Sequence, residues 1–436
     1  MLWSSQVSRT SNLRLGPIAA LMCALGSGCS HGRAFDQATS DNDAKADSLR
    51  PDDGRDDSSE DSPLETSKPD ASWPDPFTPV GAFTFGADGR TEPFEVALEG
   101  AGRLFLRVGV DDARPRCVQL DPVVDDVGSE WVSPSATSID WGPYCVRCTQ
   151  RVSVGHGYGL YEFPNDGASM PKARALTVRV VLRACDSGLP YDARFDAPLP
   201  ARALVEALRL PAVDDARRGS LRIDLAFVAG GQLSRASLGT DAILDGAIAD
   251  VRARLGAASI DVTLGDAVDV PSESADGAPL EFSRGDLSPL DALSRRVSSA
   301  LGAARPPTVV VVFAPCMIEK DPVHGTETRP DGLVPHIPGG FSRGVAADAV
   351  FIRGNNCSAP TSTYWYSAPL LGKIITHELG HYLGLYHSVE ADGQLDLLAD
   401  TDEHNLMSYR PQDTGAEGLS PSQLRVMREH PLVEYR

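Results

Sequence analysis

The stretch THELGHYLGLYH, residues 376–387, holds three of the nine histidines of this 436-residue chain. His377 and His381 are four positions apart, so on a helix they lie one turn apart on the same face and can direct ring nitrogens at one metal ion. Glu378, adjacent to His377, is placed to reach a water at that ion. The spacing therefore predicts a helix that carries two metal ligands and a general base.

The third histidine, His387, would be carried away from the other two if the helix simply continued. Gly384 resolves this, because glycine tolerates the left-handed conformation that ends a helix and turns the chain back. Three neutral imidazoles leave the fourth position of a zinc ion open, which is typical of catalytic sites. We therefore expect one zinc ion on His377, His381 and His387, with Glu378 taking the proton of the attacking water. The alternative is three histidines at coincidental spacing on an ordinary helix.

The residues before and after this stretch alternate between strand and helix patterns. Predicted strands are LRIDLAFV (221–228), IDVTLGD (260–266), TVVVVFA (308–314) and DAVFIRG (348–354). Predicted helices are 240–256 with a possible Thr240 cap, 288–302 with Ser288 as cap, the motif helix 368–384, and 420–430 with Ser420 and Gln423 as a capping box. This order favours a mixed α/β sheet unit over residues 216–436, after a Pro- and Ala-rich linker at 191–215.

Residues 78–190 show period two instead. In RLFLRVGV (103–110) and LTVRVVLRAC (176–185) the apolar residues alternate with others. This predicts a small antiparallel β-sandwich domain. Its four cysteines, Cys117, Cys145, Cys148 and Cys185, allow three disulfide pairings, and the CVRC sequence at 145–148 is alternatively half of a zinc site.

The N-terminus indicates export. Residues 1–28 combine two arginines with a short apolar run that ends in small residues before Cys29, which predicts a signal peptide and a lipidated Cys29, with ordinary signal cleavage as the alternative. Lipidation would place the chain at the outer membrane or cell surface; without it the chain would be periplasmic or secreted. Residues 29–77 are acidic and poor in large apolar side chains, so we expect a disordered tether. The formal net charge of -20 argues against nucleic acid as a partner.

Beyond His387, the sequence NLMSY (405–409) completes a pattern that resembles the metzincin metallopeptidases, whose extended histidine motif is followed by a methionine turn. The stretches IPGGFSRGVAADAVFIRG (337–354), HELGHYLGLYH and LSPSQLRVMR (419–428) look most like the pappalysin-like branch. The resemblance implies an α+β catalytic domain with a mixed twisted sheet, active-site and backing helices, and Met407 beneath the metal. It also implies that Tyr409 approaches the zinc or the tetrahedral intermediate, and that strand 348–354 offers an edge to an extended peptide.

Two further features lie near the motif. Cys316 and Cys357 flank the strand before the motif helix and are expected to form a disulfide. The segment after His387 is acidic, with Asp392, Asp396, Asp400, Asp402 and Glu403. Their carboxylates are the oxygen ligands that calcium prefers. The alternative is a solvated acidic loop that binds no ion. His324, His336 and His404 have no partner pattern, and His404 is a weak candidate for supporting the site.

Three hypotheses follow. The first is a monomeric, exported zinc endopeptidase acting on proteins or peptides. The second is a non-enzymatic surface lipoprotein whose β-sandwich binds carbohydrate or protein and whose zinc domain is a relic, although a relic has no need to keep Glu378. The third makes the β-sandwich an inhibitory prosegment with a free cysteine on the zinc.

Overall fold

The structure is a computed structural model, and it describes most of the chain beyond residue 74. The described residues are 75–112, 116–133, 149–170, 172–194, 198–200, 202–272, 278–283, 285–302, 307–321, 325–341, 345–355, 357, 366–390, 393, 395–409 and 418–435. The predicted signal peptide, Cys29, the tether up to residue 74, Cys145, Cys148, His324 and Asp392 lie outside these residues. Within them, no helix is both long and apolar enough to cross a membrane.

The fold is mixed α+β. In the described residues of its N-terminal half the regular elements are all strands. They are β1 (Thr78–Thr84), β2 (Phe94–Ala97), β3 (Arg103–Val110), β4 (Cys117–Asp125), β5 (Glu130–Val132), β6 (Gly155–His156), β7 (Tyr158–Phe163), β8 (Ala175–Arg183) and β9 (Arg202–Leu210). They form two antiparallel sheets, one in the order β1-β9-β3-β7 and one in the order β2-β8-β4-β5 with β6 beside β4. We call these two the N-terminal sheets.

The alternation in β3 explains how the N-terminal sheets hold together. Leu104, Leu106 and Val108 are buried in one core that also contains Val118 and Val178 of the other sheet. Phe105, on the opposite face, is buried too, because that face packs on the C-terminal half of the chain, where its ring lies 6.2 Å from His430. The two halves accordingly share one compact unit that begins at Ser67.

A strand lies where a linker was predicted. β9 occupies residues 202–210 of the segment 191–215, and it pairs with both β1 and β3. Its residues alternate between buried and exposed positions, as in Ala203, Val205 and Ala207, so the segment belongs to the first sheet. The linker prediction is therefore wrong for these residues.

The C-terminal half is built on a third sheet, which is mixed. Its strands are β10 (Gly219–Val228), β11 (Ile260–Val270), β13 (Val309–Ala314), β16 (Gly332–Leu333), β17 (Ala349–Arg353) and β18 (Val433–Tyr435); a separate small sheet contains β12 (Leu280–Ser283), β14 (Met317–Asp321) and β15 (Thr326–Thr328). The order is β11-β10-β13-β17-β16, with β18 paired to the start of β10. β10, β11, β13 and β17 are parallel, and β16 runs antiparallel at the edge.

Helices cover both faces of this sheet. The α-helices are α1 (Ala242–Ala257), α2 (Ser288–Leu301), α3 (Ala368–Tyr382) and α4 (Pro421–Glu429), and short 3-10 turns occupy Arg235–Ser237 and Ala346–Asp348. α1 and α3 share one core with alternate residues of β10, whereas α2 packs with the other residues of β10 on the opposite face. Strands buried on both faces explain the continuous apolar run in β13.

Three details differ from the sequence predictions. The side chain that caps α1 is Asp241 rather than Thr240, since its carboxylate accepts hydrogen bonds from Ile243 and Leu244. Ser288 is the first residue of α2 and not its cap. β17 offers no free edge at Phe351 and Ile352, because β13 and β16 pair with them on either side; the outer strand is β16.

Candidate metal centre

The helix that carries the first two histidines has a capping serine before its first residue and a glycine just beyond its end. Ser367 caps α3 by accepting a hydrogen bond from the Leu370 amide, and the helix ends at Tyr382. Gly384 then adopts φ +102°, a conformation that L side chains rarely adopt. The chain turns back with the Leu385 amide donating to the Gly380 carbonyl at 2.9 Å. The predicted role of Gly384 in ending the helix agrees with this geometry.

The turn brings the three motif histidines together. The ring centroids of His377 and His381 are 4.6 Å apart, and those of His387 lie 5.4 Å and 4.6 Å from them. One nitrogen from each ring falls within 4.8 Å of the other two. His377 and His381 are buried, whereas 28% of the His387 side chain is exposed.

The hydrogen bonds of the rings determine which nitrogen faces the centre. Nδ1 of His377 lies 2.8 Å from the Leu406 carbonyl, and Nδ1 of His381 lies 2.7 Å from the Leu385 carbonyl. Nδ1 of His387 lies 2.9 Å from the Glu390 carboxylate. Because carbonyl and carboxylate oxygens only accept, each Nδ1 donates its proton in these contacts, and Nε2 is the nitrogen of each ring that is left to face the centre.

This donor set fits a metal ion. Nε2 of His377 and Nε2 of His381 lie 3.1 Å apart, and two lone pairs at that distance repel unless a cation lies between them. Tetrahedral zinc, with Zn–N bonds of about 2.0–2.1 Å, requires a separation of about 3.3 Å between ligand nitrogens. Burial and the neighbouring His387 lower the pKa of His377 to about 3, and burial lowers the pKa of His381 well below its usual value. Both rings are therefore neutral, as ligands must be.

Glu378 lies beside this group. Its side chain is buried, and burial together with the nearby Asp331 carboxylate raises its pKa to about 8. Asp331 is itself held by the Arg353 guanidinium and by the Tyr366 hydroxyl at 2.5 Å. A carboxyl group with a pKa near neutrality is suited to taking up and releasing a proton.

Met407 packs against the motif helix at Gly380, and its place beneath a metal ion stays a prediction. It is fully buried, and its sulfur packs against Gly380, where a side chain would overlap it. The residue before it supplies the Leu406 carbonyl that orients His377. The methionine turn thus supports the motif helix in two ways, by packing and by a hydrogen bond.

The histidines open onto a cavity of about 570 Å³. Tyr409 lies in its wall with 36% of its surface exposed, and β16 forms another part of the wall. The N-terminal sheets contribute Arg151 and Ser153 from the segment before β6. The cavity is therefore lined by both halves of the chain.

Sequence reasoning missed several residues of this centre. Glu390, three residues after His387, orients that ligand, and Arg151 in turn binds Glu390 at 2.8 Å. The spacing His-x-x-Glu is a signal that could have identified Glu390. Nothing in the sequence links Arg151 to residues more than 200 positions away. His336, regarded as an ordinary loop residue, is buried in the cavity wall with its Nε2 3.2 Å from the Ser153 hydroxyl.

Other predicted residues lie elsewhere or serve other roles. Cys316–Cys357 and Cys117–Cys185 are disulfides, and Nδ1 of His156 lies 3.3 Å from the Cys117 sulfur. His404 is exposed, with 71% of its side chain accessible.

The acidic segment does not form a cation site among its described residues. Asp400 accepts from Ser420 and Ser422 at the start of α4, and Asp396 accepts from Thr401 and Leu398. The Asp402 carboxylate accepts from the His404 amide. These carboxylates are used to hold the loop, and calcium binding stays a prediction.

Comparison with known proteins finds similarity to solved structures only, at low sequence identity. The chain matches no model of a protein family and no curated protein sequence. Among solved structures it is similar to metalloproteinase-II from Bacteroides fragilis, with 18% identity over 52% of this chain and 62% of that one, and a TM-score of 0.30. It is also similar to mirolysin, solved in complex with compound 9, with 16% identity over 48% of this chain and 91% of that one, and a TM-score of 0.29.

Proposed function

We propose that this chain is a zinc-dependent endopeptidase that hydrolyses peptide bonds in protein substrates. The observation that carries the proposal is the convergence of one ring nitrogen from each of His377, His381 and His387 beside the buried Glu378, at a cavity that both halves of the chain line. Structural zinc sites are closed by four protein ligands. Three ligands next to a carboxyl group and open space fit hydrolysis better.

The residues divide the chemistry between them. A zinc ion on His377, His381 and His387 would polarise the scissile carbonyl and lower the pKa of the attacking water. Glu378 accepts the proton of that water and delivers it to the leaving amine, so its raised pKa keeps the proton available for the second transfer. Tyr409, at the cavity wall, donates its hydroxyl proton in a hydrogen bond to the oxygen that becomes negative in the transition state.

The substrate strand has a place beside β16. Gly332 and Leu333 form the outer strand of the mixed sheet, and both line the cavity. An extended peptide can add to this edge by main-chain hydrogen bonds, which hold it in register next to Glu378. This replaces the edge that the sequence suggested at β17.

The spacing of the motif residues favours the metzincin family, closest to its pappalysin-like branch. These residues are His377, Glu378, His381, Gly384, His387 and Met407. We also propose that the chain is exported and lipidated at Cys29, and that it acts as a monomer. Mass spectrometry of the mature N-terminus tests the lipid, since an unmodified cysteine or a cleavage site elsewhere contradicts it.

The decisive experiment combines metal content with cleavage. We expect the purified chain to contain about one zinc per molecule and to cleave a peptide library, and we expect a chelator to abolish cleavage. Glu378→Ala should lower kcat/KM by a factor of about 10² to 10⁴ while zinc content stays unchanged. The endopeptidase proposal fails if cleavage survives both the chelator and Glu378→Ala. A chain that holds no zinc and cleaves no peptide favours the non-enzymatic surface lipoprotein instead.

A further inference from the structure

One arginine of the N-terminal sheets reaches the metal centre. We propose that Arg151 is a positioning residue for the centre, which acts through Glu390 on the ligand His387, so that the N-terminal sheets are part of the catalytic site. This inference rests on the proposed function. It assigns a task to the half of the chain that sequence reasoning regarded as a targeting, binding or inhibitory domain.

The backbone of Arg151 is held by two hydrogen bonds to the side chain of Asn165. The Asn165 side chain accepts from the Arg151 amide at 2.9 Å and donates to the Arg151 carbonyl at 2.6 Å. Asn165 is buried, and its own amide donates to the Gln150 side chain. The direction in which the Arg151 side chain leaves the N-terminal sheets is therefore set before it meets the other half of the chain.

At its other end the guanidinium meets the segment that carries the third ligand. Nη2 of Arg151 donates to Oε1 of Glu390 at 2.8 Å, while Oε2 of the same carboxylate lies 2.9 Å from Nδ1 of His387. The guanidinium carbon also lies 4.2 Å from the centre of the Tyr386 ring. One side chain thus contacts the residue before the third ligand and the residue that orients it.

A second contact from the same segment supports this arrangement. The Ser153 hydroxyl donates to the Ile337 carbonyl at 2.8 Å and lies 3.2 Å from Nε2 of His336, so this segment is tied to the cavity wall. Tyr386 is held from the N-terminal side by the Arg151 guanidinium. His387 follows directly, after the motif helix has ended, and depends on such contacts for its place.

Fold stability alone does not explain an arginine at this position. The side chain is only 9% exposed, and its Nη1 has no hydrogen-bond partner in the described part of the chain. A buried donor without a partner costs free energy that an apolar residue of similar size would avoid. The arrangement is understandable if Glu390 must keep one oxygen on His387, since the ion pair occupies its other oxygen and prevents the carboxylate from turning away.

The test compares Arg151→Met with Arg103→Met in the full chain. Arg103 is the matched control, because it is also buried in the N-terminal sheets and reaches the other half, where it donates to the Glu429 carbonyl rather than to the group that orients His387. The zinc dissociation constant is measured by competition with a chromogenic chelator, and the geometry of the site by the absorption spectrum of the cobalt-substituted protein. Glu390→Gln and the double variant with Arg151→Met complete a cycle.

We expect Arg151→Met to raise the zinc dissociation constant by about 10-fold to 100-fold and to change the cobalt spectrum, as is typical for groups that orient a metal ligand. Arg103→Met should leave both within about 3-fold of wild type. In the Glu390→Gln background, Arg151→Met should add little, because its effect passes through Glu390. If Arg151→Met does not fold, Arg151→Lys is measured, and a smaller rise in the same constant is expected.

The proposal is overturned if Arg151→Met, or Arg151→Lys in its place, binds zinc as Arg103→Met does. It is equally overturned if the effect of Arg151→Met is undiminished once Glu390 is glutamine. Neither result bears on the endopeptidase proposal, which fails separately if the wild-type chain binds zinc in this site and cleaves no peptide.

Discussion

At Gly384 the backbone adopts φ +102°, and the direction of the chain after the motif helix depends on it. Gly384→Ala forces a side chain into this conformation and against the Glu162 carboxyl group. We expect a loss of about 1–3 kcal/mol in the free energy of unfolding and a weaker zinc site, because His387 shifts with the turn. Chemical denaturation and zinc competition measure the two effects.

Gly256 provides the control for this prediction. It lies in α1, and a Cβ there would contact nothing within 4 Å. Gly256→Ala should stabilise the protein by up to about 1 kcal/mol. If Gly384→Ala behaves in the same way, the turn does not need a left-handed residue and our explanation of the motif glycine is wrong.

Tyr409 makes the second prediction at this scale. Removing its hydroxyl in Tyr409→Phe should lower kcat by about 10²-fold to 10³-fold with little change in KM, since the hydrogen bond forms only in the transition state. Zinc affinity should stay close to that of wild type, because the three histidines remain in place to hold the ion. Steady-state kinetics on one peptide decide the matter, and an unchanged kcat would remove Tyr409 from the mechanism.

Residue spacing predicted that the three histidines come together, but it did not identify the groups that support them. The intervals from His377 to His381 and to Gly384 follow from helix geometry, which is local, so the sequence contains the information. Glu390 orients His387 from three residues away, and its importance depends on a turn whose shape the sequence does not specify. Arg151 reaches the same carboxylate through the packing of two halves of the chain, which no local pattern encodes.

Among the elements, the Cys316–Cys357 disulfide closes the segment that contains β16. The two cysteines are 41 positions apart, and the segment between them includes the strand that lines the cavity. Replacing both by serine should lower the free energy of unfolding by about 2–4 kcal/mol. It should also raise KM for peptides, because β16 then loses its fixed position beside Glu378.

The other disulfide is the control that distinguishes a loss of stability from a rise in KM. Cys117–Cys185 lies in the N-terminal sheets and spans 68 positions. The serine variant of this pair should lose stability to a similar extent and keep its KM, as measured by thermal unfolding and peptide kinetics. An equal rise of KM in both variants would mean that the substrate edge is not β16.

The same elements mark where prediction by pattern succeeds. The helices α1 and α3 and the strand β10 were predictable because their apolar residues recur at regular intervals, and β13 was predictable because it is a continuous apolar run. β9 was missed because a Pro- and Ala-rich surrounding suggested a connection, and its partners β1 and β3 are more than 90 residues earlier. β16 has only two residues, too few to show any period.

In the molecule as a whole, two buried carboxyl groups face the contact between its halves. Glu162 of β7 has no hydrogen-bond partner for its oxygens among the described residues, and burial raises its pKa well above the usual value. Burial likewise raises the pKa of Glu429, at the end of α4, to about 8. Glu429 is therefore mostly protonated in the folded protein near neutral pH, and Arg103 lies close enough to both groups to oppose these shifts.

This predicts a fall in stability toward alkaline pH. A carboxyl whose pKa is raised on folding contributes its full stability below its unfolded pKa of about 4.5, and the contribution is lost as the pH rises through about 8. Glu429→Gln should therefore match wild type near pH 5 and be more stable by about 2 kcal/mol near pH 8. The measurement is denaturant unfolding at both pH values.

Glu403 is the control, since 74% of its side chain is exposed. Glu403→Gln should follow the wild-type pH profile throughout. A Glu429→Gln variant with that same profile would show that burial at the contact between the halves does not govern the alkaline limit.

The position of β9 also limits where the N-terminal sheets can be exchanged with those of another chain in a chimaeric protein. β9 pairs with both β1 and β3 in the first N-terminal sheet. Only eight residues, 211–218, separate its end from the start of β10 in the mixed sheet. A cassette containing the N-terminal sheets must therefore extend to Leu210, and its crossover must fall at 211–218. An exchange made at residue 190 would split the first sheet, whereas one made within 211–218 would transfer Arg151 together with every strand that holds it.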